Sequence, residues 1–345
     1  LGCSQNHCTF CGMYKTKQFR IRPVADIRAE ISQIPADHRT YVQRVFLADG
    51  DALVYPQAGL VEILDLLADN FPKLNRVGIY ASPNSLKSKS VAELTLLREK
   101  KLRILYFGLE SGDAQTLYTV RKGFTPDEMM SQCRRAQQAG MKLSVTAILG
   151  LAGRERSREH ARATAGWITE LSPEFFSLLT MFRRHNDDFL RSITPLTNGG
   201  IIQEALEIVR HLAPQKTILR SNHVSNILHL AGSYPKDRDR IIAQAEQALT
   251  HGQVDIGMTA VELGAYFKDA HHGKALAAGK GAQRRDGQAR YGHLHRVAHL
   301  QGGLMLDVTG PVARVDATPE AVALIDQLVS MHGRVLFHQS GGCCD

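Results

Sequence analysis

The feature that most constrains this chain is a loop in its opening residues, LGCSQNHCTFCGMYK, which brings Cys3, Cys8 and Cys11 together with Phe10 beside the last of them. Three thiolates at this spacing can hold a metal cluster. A cubane iron–sulfur cluster has four irons, each needing a ligand, so three cysteines leave one iron open to a group that is not protein.

Spacing alone admits other readings. Cys-x4-Cys-x2-Cys is also the spacing of plant-type ferredoxins, where a fourth cysteine a few tens of residues later closes a two-iron cluster. Here the next cysteine is Cys133, and the loop opens a long basic chain rather than sitting inside a small acidic one. A zinc site with His7 as fourth ligand is hindered because His7 adjoins Cys8, and neighbouring side chains rarely converge on one tetrahedral ion. Free thiols are the remaining reading.

Behind the loop the pattern alternates. Pro23–Pro35 has apolar residues at helical spacing, with Ile27, Ile31 and Ile34 on one side. Short apolar runs that read as buried strands occur at Arg44–Ala48, Arg76–Ala81, Ile104–Leu109, Lys142–Leu149 and Phe175–Phe182. Between them, helical periodicity covers Ala58–Asn70, Val91–Lys100, Pro126–Ala139 and Arg158–Leu171, and further helices are expected over Gly200–Leu212 and Asp237–Leu249. Such alternation predicts an α/β fold with parallel strands and crossover helices, and chemistry at the C-terminal ends of the strands. Leu219–Tyr234, rich in Ser, Asn and His, reads as a turn-rich loop; Asn222, His223 and Asn226 are candidates for lining a substrate pocket there.

Composition is that of an ordinary globular protein, with 43% hydrophobic and 22% charged residues. No apolar run approaches the ~18 residues of a membrane helix. With three of six cysteines in one loop and two adjacent at Cys343 and Cys344, the thiols read as metal chemistry rather than a disulfide framework, which points to reducing cytoplasm. The net charge of +8 is concentrated: Lys268, Lys274, Lys280, Arg284, Arg285, Arg290 and Arg296 face only Asp269 and Asp286 in that stretch. The surplus elsewhere is small and gives a nucleic-acid partner little support.

The three-cysteine loop with its aromatic residue, followed in order by ADGDAL at Ala48–Leu53, GLESGD at Gly108–Asp113 and ILGLAG at Ile148–Gly153, resembles the radical S-adenosylmethionine (radical SAM) enzymes over roughly residues 1–249. The usual spacing in that family has one residue fewer between the first two cysteines. The resemblance implies a partial TIM-like (β/α)6 barrel. The family's first strand normally runs directly into the cysteine loop, so the chain is expected to lack it. It implies a [4Fe-4S] cluster on Cys3, Cys8 and Cys11. S-adenosyl-L-methionine would then lie on the open iron and be cleaved reductively to a radical that abstracts hydrogen from a substrate these residues do not identify. A one-electron donor of flavodoxin or ferredoxin type is implied as partner.

The same resemblance implies roles for cofactor-binding residues. Asp49, Gly50 and Asp51 stand where the family binds the amino group of S-adenosylmethionine, Glu110 and Ser111 where it meets ribose and methionine, Gly150 beside adenine, and Phe10, Met13 and Tyr14 along the adenine wall. Each has a plainer reading. Asp-Gly is a turn signal anywhere, a strand-end carboxylate can be merely solvated, and glycine suits any strand-to-loop turn. Asp113 reads as the cap of the next helix, and Lys122-Gly123 follow as in the family. Two alternatives remain. One is a non-catalytic iron–sulfur or zinc protein, or an electron carrier. The other is an RNA-modifying enzyme of methylthiotransferase or elongator type, favoured by GLESGD and opposed by the lack of an obvious RNA-binding module.

Residues 250–311 read as a low-order basic linker, with histidines at 271, 272, 293, 295 and 299 in no ligand-like spacing. Residues 312–345 read as a fragment of a small second domain: a helix over Thr318–Met331, then FHQSGGCCD, which resembles the start of a small uncharacterised bacterial family. There His338, Cys343 and Cys344 are a candidate metal or redox site. Two partial domains joined in this way suggest a fused reading frame.

Overall fold

The computed structural model describes residues 2–183 and 185–250, together with the strands at 296–299 and 304–308. The helix expected over 318–331, and His338, Cys343 and Cys344, lie outside the described residues, as does most of the expected linker.

Six strands run parallel and side by side in chain order: β1 (Val42–Leu47), β2 (Arg76–Ala81), β3 (Leu102–Glu110), β4 (Lys142–Leu149), β5 (Phe175–Thr180) and β6 (Thr217–Arg220). An antiparallel strand, β7 (Ala231–Tyr234), pairs with β6. At the other edge β9 (Leu304–Val308) runs antiparallel to β1, and β8 (Arg296–His299) pairs with β9. The order β7-β6-β5-β4-β3-β2-β1-β9-β8 does not close on itself, so the architecture is an open, partial (β/α) barrel.

Crossovers are helical, as parallel pairing demands. The helices α1 (Val24–Ser32) and α2 (Ala36–Arg39) precede β1, and α3 (Gln57–Asn70) joins β1 to β2. Next come α4 (Pro83–Lys87) and α5 (Val91–Glu99), then α6 (Ala114–Thr119) and α7 (Pro126–Gln138), then α8 (Ser157–Leu171). Two more, α9 (Asp187–Arg191) and α10 (Asn198–His211), lead to β6, and α11 (Arg238–Thr250) follows β7. Starts are locally encoded. Thr125 and Glu128 close a reciprocal cap around Pro126 at the head of α7, and Ser90 with Glu93 does the same for α5.

The five expected strands form, two with the expected bounds and three with ends shifted by a residue or two. The sixth, β6, and its partner β7 lie at and inside the stretch read as a loop. Each is four residues long, and Ala231–Tyr234 (AGSY) carries little apolar signal, so pairing to a preformed sheet rather than local pattern makes these strands. The strands β8 and β9 likewise fall in the segment expected to have no sustained order.

The core lies between sheet and helices. Phe71, Phe107 and Phe176 are fully buried, and α3 turns Leu60, Ile63, Leu64 and Leu67 onto the sheet. Among the described residues no helix is long and apolar enough to cross a membrane. Parallel strands end at one rim, so the segments after β1, β3 and β4 that carry the acidic and glycine residues are brought together there. Because Phe107 anchors the strand that ends in Glu110, Phe107→Ala is expected to cost about 3–5 kcal/mol, measured as a lower urea midpoint at unchanged slope.

Candidate functional site

The cysteine loop is fastened to the rim by backbone groups rather than by regular structure. The Thr9 N–H donates to the Val120 carbonyl at 3.0 Å, and the Gln5 side-chain amide donates to the carbonyl of Lys122. Asn186 Nδ2 donates to the Phe10 carbonyl at 2.8 Å, and Asn6 Nδ2 to that of Tyr14 at 2.7 Å. The Phe10 ring packs against a small apolar cluster of Val120, Leu151, Met181 and Phe189, at the ends of α6, β4 and β5 and in α9.

These anchors take the thiols out of water. Cys8 is buried, and Cys3 and Cys11 are half-buried. Burial pushes the Cys3 thiol up to about 11 and raises Cys8 and Cys11 as well, while the Lys122 ammonium pulls all three the other way. Ligation needs thiolates, so a metal group entering this loop must displace protons. Among the described residues no three His, Cys, Asp or Glu side chains gather closely enough to share one ion. A single zinc at ~2.3 Å from each sulfur would require that convergence. A cubane does not, because each cysteine takes a different iron. Two buried oxygens beside Cys8, Gln5 Oε1 and Thr9 Oγ1, have no hydrogen-bond partner, an uncommon state that suits the lining of a bound group. Cys133 sits inside the core on α7 and is not a fourth ligand.

After β1, Gly50 lies directly under the loop. A Cβ there would come within 2.9 Å of Cys3 Cβ and 2.7 Å of the Tyr14 ring, so only glycine lets the turn and the loop approach this closely. Tyr14 OH accepts from the Gly50 N–H at 3.0 Å. The Asp49 carboxylate accepts from the Gly2 N–H at 3.3 Å and from Lys17 at 2.9 Å. Partial burial works against its charge, but Lys17 and Gly2 hold it below the usual carboxylate range. Asp51 has a structural task that its spacing did not show. It is 1% exposed and accepts from the Ser82 N–H at 2.9 Å, from the Ser82 hydroxyl at 2.7 Å and from Ser4. Its carboxylate therefore ties the loop and the head of α4 to β1.

The end of β3 divides its residues between two directions. Glu110 has φ of +65°, a left-handed conformation costing a non-glycine residue about 1–2 kcal/mol, and its carboxylate accepts from Lys122 at 2.9 Å. Burial opposes the Lys122 charge, but Glu110 and the nearby thiols more than offset it and raise its pKa. Glu110 thus faces the cysteine loop. Ser111 points the other way, toward α8. It is fully buried, and its Oγ is 2.7 Å from His160 Nδ1 on α8. Gly112 donates to Thr164 Oγ1 at 2.9 Å, and a Cβ on it would lie 2.4 Å from the Ala163 carbonyl oxygen. Asp113 caps α6 as expected, accepting from the Thr116 N–H at 2.9 Å, and takes a fork from Arg156 at 2.9 and 3.1 Å. The turn after β3 is therefore clamped onto one face of α8.

After β4, Gly150 has φ of +80°, which favours glycine, and its N–H donates to Glu204 Oε1 on α10 at 2.7 Å. Glu204 and His160 were not singled out from the sequence. Glu204 stands between Ile201 and Ile208 on the apolar stripe of α10, where a carboxylate is out of place, and that is the signal that could have found it. Further along the rim Asn226 serves the fold: its Nδ2 donates to the Leu178 carbonyl at 2.7 Å, and its Oδ1 accepts from Thr180 at 2.9 Å. His223 is 2.8 Å from Ser225 Oγ and meets the edge of Phe182, while Asn222 is exposed.

Residues 1–168 match the family model described as the Radical SAM superfamily. Among solved structures the chain is similar to coproporphyrinogen III oxidase from Escherichia coli, described as a radical SAM enzyme, at 18% identity and a TM-score of 0.48, covering 61% of this chain and 49% of that one. It is also similar to methylornithine synthase, at 17% identity and a TM-score of 0.47, covering 71% and 66%. A third similarity is to the radical SAM methyltransferase TsrM from Kitasatospora setae, at 20% identity and a TM-score of 0.42, covering 52% and 35%. The chain therefore spans less than two thirds of the length of each. No curated protein sequence matches it.

Burial opposes ionisation of Asp113, but the Arg156 fork and Thr116 hold its carboxyl below the usual range. A depressed acid stabilises the fold above its unfolded pKa of about 3.9 and loses that contribution as pH falls through the folded value. Asp113→Asn keeps a capping side chain but loses the charge pair. The variant is expected to have a lower urea midpoint than the parent at pH 7, with the deficit closing below about pH 4.

Proposed function

We propose, from the premise that this chain belongs to the radical SAM superfamily through residues 1–168, that it is a radical SAM enzyme whose cluster is held by Cys3, Cys8 and Cys11. Members of the superfamily are enzymes that use a [4Fe-4S] cluster and S-adenosylmethionine. What these groups supply when bound is one-electron cleavage of a sulfonium C–S bond and, through it, abstraction of hydrogen from a substrate. The observation that carries the assignment is the gathering of three desolvated thiols in one loop fastened to the strand-end rim.

The chain's own residues have separable tasks in this reading. Gly50 lets the turn after β1 approach Cys3, and Asp49 offers a carboxylate near that contact. Glu110, oriented by Lys122 and by its left-handed backbone, faces the loop from the end of β3. Gly150 presents a flat backbone surface at the end of β4, close to the Phe10 cluster, where an adenine ring would stack. The apolar wall of Phe10, Val120, Leu151, Met181 and Phe189 excludes water from that side. Asp51 and Ser111 hold the turns in place. The electron donor in this reading is a flavodoxin- or ferredoxin-type protein.

Anaerobic reconstitution followed by chromatography of 5′-deoxyadenosine, after adding S-adenosylmethionine and dithionite, tests the assignment. The parent is expected to bind close to four irons per chain and form the nucleoside. Cys8→Ala should lose the cluster's absorbance and the product together. A loaded parent that binds but does not cleave S-adenosylmethionine would overturn the enzymatic reading in favour of a structural or electron-carrying role.

A further inference from the structure

A buried chain of polar groups runs behind the rim, and two of its members, His160 and Glu204, have none of the tasks above. The Asp113 N–H donates to Ser111 Oγ at 3.0 Å, and Ser111 Oγ lies 2.7 Å from His160 Nδ1. His160 Nε2 lies 3.8 Å from Glu204 Oε1. That same oxygen accepts from the Gly150 N–H, and Oε2 accepts from the Ser157 hydroxyl. His160 and Glu204 side chains are both 0% exposed.

Donor counting assigns the protons. Ser111 Oγ already accepts from Asp113, and its fully buried hydroxyl needs an acceptor, which His160 Nδ1 provides. The imidazole proton then sits on Nε2, the atom that faces Glu204 and has no hydrogen-bond partner at this separation. Glu204 accepts at both oxygens and fits its carboxylate form, although burial pushes its pKa up. Serine, histidine and carboxylate in this order also describe an acyl-transfer nucleophile. That reading fails here because Ser111 has no exposed surface for a carbonyl carbon to reach.

What the chain does connect is the turn after β3 with the backbone of Gly150 after β4, through one residue on α8 and one on α10. We propose that His160 and Glu204 are positioning residues that lock these two strand ends in register, so that the Gly150 backbone is preorganised for S-adenosylmethionine. The proposal rests on the radical SAM reading for the identity of the ligand, but the link itself stands on this chain's geometry. Glu204 acts at a distance, through the Gly150 amide, and His160 through Ser111. Neither touches the cysteine loop, so the pair governs cofactor affinity and not cluster assembly.

The test compares Glu204→Gln, which keeps an acceptor for Gly150, with Glu204→Leu, which fills the space without one, and adds His160→Gln as an independent variant. Three quantities are read: iron content after reconstitution, equilibrium binding of S-adenosylmethionine, and amide hydrogen exchange of the peptide containing Gly150 in cluster-free protein. Glu204→Leu is expected to bind S-adenosylmethionine about tenfold or more weakly, the loss that follows when a buried donor is left without a charged acceptor. It should load iron like the parent and exchange faster at Gly150. Glu204→Gln should stay within about threefold of the parent, and His160→Gln should fall between. Parental affinity and parental exchange in Glu204→Leu would overturn the proposal, as would an equal loss in Glu204→Gln and Glu204→Leu or a matching loss of iron. If the loaded parent binds no S-adenosylmethionine, the radical SAM reading fails instead, and the exchange arm still decides whether the link orders Gly150.

Discussion

A lysine ammonium taken out of water has to find an anion, and at this rim Lys122 finds Glu110. The Lys122 and Glu110 side chains are 7% and 13% exposed, so the pair is compensated where either charge alone would be costly. Lys122 also lends its carbonyl to Gln5, and Val120, two residues earlier, lends its own to Thr9. One short segment after α6 thus fixes the end of β3 and the cysteine loop to each other. A loop without helix or strand of its own gains a defined place because a buried charge pair needs that geometry.

The same strand end faces a second network back to back with the first. Residue 110 turns toward the loop while residues 111–113 are seated on α8 through His160, Thr164 and Arg156. His160 and Thr164 sit four residues apart on one stripe of α8, and Arg156 stands at its N-cap. Opposite directions for residues 110 and 111 are what strand alternation gives, and the left-handed conformation of Glu110 accompanies a register shift at the end of the β3–β4 pairing. Its cost is small beside several buried hydrogen bonds at about 0.5–1.5 kcal/mol each.

Much of the fold was legible because β1–β5 are each at least six residues long and apolar enough to show a period, and their crossover helices carry clear stripes. The strands β6 and β7 were not, because four residues paired to an existing sheet leave no periodic trace. At the site, the cysteines and the positions of the glycine turns could be read from spacing. Side-chain direction could not. Ser111 adjoins Glu110, which faces the loop, yet is committed to α8, and Asp51 is shared between Ser4 of the loop and Ser82. His160 and Glu204 escaped because each meets its partner only through tertiary contact, across 49 residues from Ser111 and 54 from Gly150. Asp113 was legible as a cap because capping is local.

The rim is not uniform, and its asymmetry argues for where a ligand sits. At the ends of β5 and β6 the polar groups satisfy one another: Thr180 N–H reaches Ser225, Thr180 Oγ1 reaches Asn226, and Asn226 reaches Leu178 and Ser221. Such a closed mesh offers little to a guest. At the ends of β1, β3 and β4 the chain instead carries a close-approach glycine, a left-handed glutamate and a left-handed glycine, with desolvated thiols and unpartnered oxygens at Gln5 and Thr9 above them. Features of that kind cost stability unless something repays them. Their concentration on the side of the rim that faces the cysteine loop is what supports the proposed cofactor site there, and the self-satisfied β5–β6 side is the contrast that gives it weight.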